Sequence, residues 1–247
     1  MEIEEFALGN SWVHDLDPRG KIMVTLIFSV VVALNQHLPG TALSLVFPVA
    51  LVIAARLSIK KVLVRLAIVN GFIVFIWFFL PFTTPGETIY SIGPLSMQEE
   101  GIREALLITL KSNSIILMGI ALLGTSQIFT LVHALSHLWV PDKLVHLLFF
   151  CFRYIYVIHD EYHRLINAMK VRGFQPKTDM HTYRAYAYLV GMLLVRSFDR
   201  SKRIMQAMKC RGFKGKLYIL HHYQMKHSDY ALAGSSIAIS ALLWAAR

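Results

Sequence analysis

Two heptapeptides carry the most specific chemical pattern in the chain: AMKVRGF at residues 168–174 and AMKCRGF at residues 207–213, thirty-nine positions apart. The likeness extends upstream without a gap. DEYHRLINAMKVRGF (160–174) lies over DRSKRIMQAMKCRGF (199–213), with Asp160 on Asp199 and Arg164 on Arg203. Ala, Met, Lys and Arg favour helix, and a glycine after such a run takes the left-handed conformation that closes a helix. Lys170 with Arg172, and Lys209 with Arg211, then fall in the last turn, where cations complement the negative end of the dipole. Capping accounts for a basic helix end, but it does not require Met-Lys-x-Arg-Gly-Phe twice. An arginine on a rigid helix end suits a bidentate pair with a carboxylate, and flanking Met and Phe suit an apolar groove. The pattern predicts two equivalent docking points for two equivalent partner sites. One is Arg172 with Met169, Val171 and Gly173, and the other is Arg211 with Met208, Cys210 and Gly212.

Other residues invite chemistry with less support. Eleven histidines suggest metal, above all His133 with His137 at i, i+4, and His221 and His222 with His227. A helical i, i+4 pair can face one ion. No Cys, Asp or Glu stands near to complete either set, and a structural or interfacial role is the preferred reading. Lys111, beside Ser112, Asn113 and Ser114, lies inside an apolar run. It faces the bundle or a partner there, or snorkels to the outer interface, and the second is preferred. The two cysteines, Cys151 and Cys210, are too few for a disulfide framework and read as packing residues. Paired acids, a nucleophile elbow, HExxH, Walker A and zinc-type Cys pairs do not occur, which argues against an enzyme. No nucleic-acid motif occurs either.

The elements that must position the two motifs are apolar. The chain has 247 residues, 55% hydrophobic and only 16% charged, with a mean hydropathy of +0.52. A soluble domain carries about a quarter charged residues. Five runs approach the roughly 20 apolar residues that cross a bilayer as helix: 22–38, 41–55 with Pro48 inside, 62–80 closed by Pro81, 104–124 and 230–246. Asp17-Pro18 is a capping start for the first. Of the net charge of +10, the basic excess lies in one stretch, because residues 125–228 hold sixteen Lys/Arg against five Asp/Glu. Arg19 and Lys21 before the first run, and Arg56, Lys60, Lys61 and Arg65 after the second, put those segments inside. The turn at 35–40 and the loop with Glu87, Glu99 and Glu100 fall outside. The fold expected is all-α and membrane-integral. It comprises four transmembrane helices within 1–124, a cytoplasmic, largely helical region at 125–228 that also attracts anionic lipid, and a final transmembrane helix at 229–247. The apolar runs 144–152 and 186–195 are too short to span. Near-identical motifs with one task should also share a face.

Taken together, these residues resemble the transmembrane (T) component of energy-coupling-factor transporters, most closely the cobalt/nickel-type branch called CbiQ. SWVHDLDPRGKI (11–22) is similar to that family's opening, VPDKLV (140–145) to its entry into a coupling helix, and the triplets VRG (171–173) and CRG (210–212) to its coupling motifs. Val171 and Cys210 stand where the family often has Ala. The resemblance implies a multi-pass protein of the bacterial or archaeal cytoplasmic membrane, N-terminus inside, that is not itself an enzyme. It implies an ABC ATPase dimer as partner, which binds ATP and Mg, and a metal-specific substrate-binding membrane subunit. It leaves open a small accessory membrane subunit. No cofactor or metal is implied in this chain, and Arg172 and Arg211 would each sit in a groove of one ATPase. The alternatives are a T component of a vitamin-type importer and a membrane scaffold or lipid-interacting protein without an ATPase.

Overall fold

The computed structural model describes residues 6–7, 9–84, 88–92, 95–214 and 227–245. Among the described residues eight helices run in the order α1 (Pro18–Leu34), α2 (Leu38–Ala54), α3 (Ile59–Thr83), α4 (Glu99–Leu122), α5 (Ile128–Ser136), α6 (Asp142–Val171), α7 (Met180–Cys210) and α8 (His227–Ala245). A short antiparallel hairpin, β1 (Thr88–Ile92) and β2 (Leu95–Gln98), stands where the sequence suggested only a loop, with Ile92 opposite Leu95. The chain forms two compact units, Met1–Ala134 with His222–Arg247, and Leu135–His221.

In the first unit α4 is the hub, packed on α1, α2 and α3, while α8 lies against α1 and α2. α1 begins as the sequence indicates. Pro18 takes the first helical position and the Asp17 carboxylate accepts the Arg19 N–H at 2.9 Å. α3 and α4 are long and apolar enough to cross a membrane, and α2 is a shorter apolar helix. α3 buries only Val62, Ile73 and Pro81; Ile68, Phe72 and Phe78 point outward, about 70% exposed.

Two prolines, Pro48 lying inside its run as expected and Pro81 expected to close one, are both absorbed within helices. Pro48 has no N–H and leaves the Ser44 carbonyl without its helical donor. The Ser114 hydroxyl of α4 donates to that carbonyl at 3.0 Å, in a fully buried position. Pro81 does not end α3, which continues to Thr83. The Thr83 and Thr84 hydroxyls donate to the carbonyls of Phe79 and Leu80. Gly101 of α4 fits here because a Cβ would stand 2.7 Å from Pro81 Cα. Further polar pairs join α3 to α4: the Asn70 and Asn113 amides bond reciprocally at 3.0 Å, and Trp77 Nε1–H donates to Thr109 at 2.9 Å. Away from water such bonds hold helices together where apolar contact alone does not discriminate between neighbours.

Lys111 has a definite task within this set. Its ammonium donates to the Ala33 carbonyl at 2.9 Å, one of the orphan acceptors of the last turn of α1. Lys21, which precedes the first apolar run, is not a surface charge. It is 1% exposed and donates to Ser126 Oγ at 2.8 Å, while the Asp17 N–H donates to Asp229 of α8 at 2.8 Å. The start of α1, the turn after α4 and the start of α8 thus meet in one buried polar network.

In the second unit the short apolar runs belong to helices of 30 and 31 residues, each about 45 Å long at 1.5 Å per residue. They are antiparallel. The Phe174 ring lies 5.9 Å from that of Tyr186, Glu161 meets Arg196, and Tyr154 lines one groove with Ile204. Cys151 and Cys210 are exposed thiols, not the packing residues expected, because they lie on faces of α6 and α7 that the chain leaves uncovered.

Candidate functional site

Both heptapeptides end their helices in the same way. Arg172 and Arg211 are the C-cap residues, at φ −80°, ψ 8° and φ −87°, ψ 9°. The glycines that follow are left-handed, Gly173 at φ 83° and Gly212 at φ 82°. Phe174 N–H donates to the Met169 carbonyl at 3.1 Å and Gly173 N–H to that of Lys170 at 3.0 Å. In the second copy Phe213 reaches Met208 and Gly212 reaches Lys209, both at 3.0 Å. This pair of bonds is the Schellman closure. The end of α2 uses it as well, but with Arg56 at φ 51° in the glycine's place.

The side chains repeat the match. In each copy Met (169, 208) and Phe (174, 213) are half-buried, while Lys, the following Val171 or Cys210, Arg and Gly are exposed. Val171 is 88% exposed. Among the described residues neither the Arg172 nor the Arg211 side chain has an ion-pair or hydrogen-bond partner. Two free guanidiniums beside uncovered apolar atoms are the surface that a carboxylate-bearing apolar groove would fit.

What relates the two ends is a crossing that the sequence reading passed over. Glu161 gathers Arg196, Arg200 at 3.8 Å and Arg164 at 3.9 Å, with its own side chain 13% exposed. The hydrogen bond from Arg196 is the main reason its carboxyl is held below the usual range. In the alignment of the copies Glu161 falls on Arg200, so equivalent positions touch across an antiparallel pair. That places a local two-fold axis at the crossing, with Arg172 and Arg211 each eleven residues beyond it on its own helix. A signal was present in the sequence, because 161/200 is the only aligned position in the repeat with opposite charges.

The histidine sets do not form such a site. His133 is buried and His137 is exposed beyond the end of α5. His221 and His222, and the side chain of His227, lie outside the described residues. Among the described residues no three His, Cys, Asp or Glu side chains are grouped to hold a metal.

Apolar helices of membrane-crossing length, together with an amphipathic helix pair with twinned basic ends, mark the class as a helical membrane protein. Residues 9–220 match the CbiQ family, described as cobalt transport protein. The energy-coupling factor transporter transmembrane protein EcfT of Leuconostoc gelidum subsp. gasicomitatum is 30% identical over 86% of this chain and 83% of its own. The EcfT proteins of Ruminiclostridium cellulolyticum (25% identical, 99% and 95% covered) and Lactococcus lactis subsp. cremoris (27%, 98% and 96%) align almost end to end. The chain belongs to the CbiQ family, the transmembrane (T) components of energy-coupling-factor transporters.

Proposed function

We propose that this chain is the coupling subunit of an ATP-driven importer, transmitting motion from two ABC ATPase subunits to a separate substrate-binding membrane subunit. The observation that carries the reading is the local two-fold relation between Arg172 and Arg211. Two equal ends on either side of an axis are what a two-fold partner such as an ATPase dimer would engage. Each guanidinium would pair with a carboxylate in one ATPase groove, with Met169 and Val171, or Met208 and Cys210, filling apolar space beside it. ATP and Mg would reside in the ATPases, and this chain would catalyse nothing. Four spans formed by α1 to α4, a fifth by α8, a cytoplasmic N-terminus and the α6–α7 pair in the cytoplasm of a bacterial or archaeal cell complete the arrangement.

Cobalt or nickel is the first reading for the cargo, because the family's description names cobalt. The relatives' names specify no cargo, and a vitamin-type substrate subunit stands as the second reading. The test is affinity purification from native membranes with identification of bound chains, followed by uptake of labelled cobalt, nickel and vitamins. An ATPase dimer and a substrate subunit should copurify, and Arg172→Ala with Arg211→Ala should lose the ATPases or uncouple hydrolysis from uptake. A scaffold would bring down no ATPase. Normal copurification and uptake in the double variant would overturn the coupling role of these arginines.

A further inference from the structure

One cluster on α6 takes no part in the docking surface. His159 and His163 stand at i, i+4 with their Nε2 atoms 3.1 Å apart, ring centroids 4.5 Å apart and ring planes at 82°. Both side chains are exposed, in the middle of a 30-residue helix. We propose that His159 and His163 form a two-imidazole site for a borderline divalent transition-metal ion.

The spacing is the first support. Two nitrogens, each about 2.0–2.1 Å from one ion and subtending 90° to 109°, stand about 2.9–3.4 Å apart. The separation here falls inside that range without any change of rotamer. Without metal, an Nε2–H of one ring donates to the Nε2 of the other. Metal would take both Nε2 lone pairs, and the donor ring's proton would pass by solvent exchange to its Nδ1, which points away. No net proton need be released if both rings start neutral.

The surroundings are the second support. Glu161, between the two histidines in sequence, lies on the opposite side of the helix and is engaged by Arg196, so it does not compete for the ion. The helix fixes the separation of the two rings, so little freedom is lost when they close on an ion. No third His, Cys, Asp or Glu completes the set among the described residues. The remaining coordination positions therefore go to water or to a group from another molecule. Imidazole pairs of this kind take Cu(II) most tightly, then Ni(II) and Zn(II), with Co(II) weaker and Mg(II) excluded. The site lies nine residues before Arg172, about 13 Å along the axis of α6, so an ion there would staple the turns leading to that end.

The test uses the full chain in detergent micelles at neutral pH, with Zn(II) alone as probe. Diethyl pyrocarbonate labelling is read histidine by histidine by mass spectrometry. His159 and His163 should be protected together as Zn(II) rises, with His181 of α7 as internal control, and Mg(II) should protect neither. Loss of even an outer partner of a metal ligand weakens binding about 10–100-fold. His163→Gln should therefore raise the Zn(II) concentration that half-protects His159 by roughly tenfold or more. Both positions are exposed, and an unchanged melting temperature of the variant confirms that the fold is kept. Absence of protection, equal protection of His181, or protection of His159 that survives His163→Gln would each overturn the site.

Discussion

α4 and the α6–α7 pair solve opposite problems with similar lengths of helix. α4 buries eight residues, among them Ser114, Leu117 and Met118. α6 buries Val145 alone, and α7 buries only Thr182 and Leu189. The bundle around α4 pairs polar groups of one helix with those of another: Ser114 with the Ser44 carbonyl, Asn113 with Asn70, Lys111 with the end of α1. The pair closes its helix ends with their own backbone and leaves Tyr183, Tyr188, Leu194 and Phe198 uncovered. α3 is also uncovered, but beyond Arg65 its exposed residues are apolar as far as Phe82, which suits lipid. The uncovered apolar atoms of α6 and α7 alternate with Lys and Arg, which suits a protein surface or an interface. The difference is between a region complete in itself and one that awaits a complement.

The sharpest break of that contrast is Arg172→Ala combined with Arg211→Ala. Truncating one member of a desolvated ion pair costs about 2–5 kcal/mol, so the double change should abolish ATPase copurification. The melting temperature of the isolated chain should stay within a degree or two, because neither guanidinium has a partner among the described residues. A change confined to the bundle should do the reverse. Ser114→Ala leaves the Ser44 carbonyl buried and unpaired, at a cost of about 1–3 kcal/mol, measurable by thermal unfolding in detergent. In a Pro48→Ala background the restored backbone N–H should take over that acceptor. The same Ser114→Ala should then cost much less, and additivity of the two changes would refute the assignment.

Acid should separate the regions next. The Glu161 carboxyl lies below its ordinary range, chiefly through its hydrogen bond from Arg196. A group lowered in the folded state contributes its stabilisation above the ordinary carboxylate range and loses it as pH falls through the folded value. Hydrogen exchange at the middle of α6 and α7 should therefore accelerate at strongly acidic pH, while exchange in α4 does not, and Glu161→Gln should remove the difference. The smallest expected effect is at the caps. A Cβ at Gly173 or Gly212 meets nothing within 4 Å, so Gly→Ala should cost only the left-handed backbone, about 1–2 kcal/mol. That loss should appear as fraying confined to the last turn. Arg56→Gly, at the same place on α2, should instead relieve strain unless the charge itself is needed.

The parts of this molecule that were legible in sequence are those fixed by neighbours a few residues away. Asp17-Pro18 starts α1, and each glycine of the repeat ends its helix in the left-handed conformation expected from AMK-x-RG. Pro81 misled because what accommodates it is distant, with Gly101 across the packed end of α3, and spacing is equally blind to Ser114, the partner on another helix that serves the carbonyl Pro48 leaves free. The β1–β2 hairpin has no period-2 run strong enough to stand out from a loop. Glu161 opposite Arg200 was written in the repeat, but its meaning depends on the two copies running antiparallel, which spacing alone does not specify. His159 and His163, in HDEYH, were passed over, because only the ring separation in the fold distinguishes a chelating pair from two exposed histidines.

α7 runs without interruption from Met180 to Cys210, so it acts as a shaft whose far end is geared to its near one. One residue added anywhere along it would turn everything beyond by about 100° and advance it by about 1.5 Å. Arg211 would then face a different direction, with every local bond of its cap intact. Four added residues would bring it back to within roughly 40° of its heading but about 6 Å further out. The interval of thirty-nine positions between the copies is therefore itself a structural parameter, one that fixes the heading of the second arginine relative to the first as firmly as any contact in the molecule.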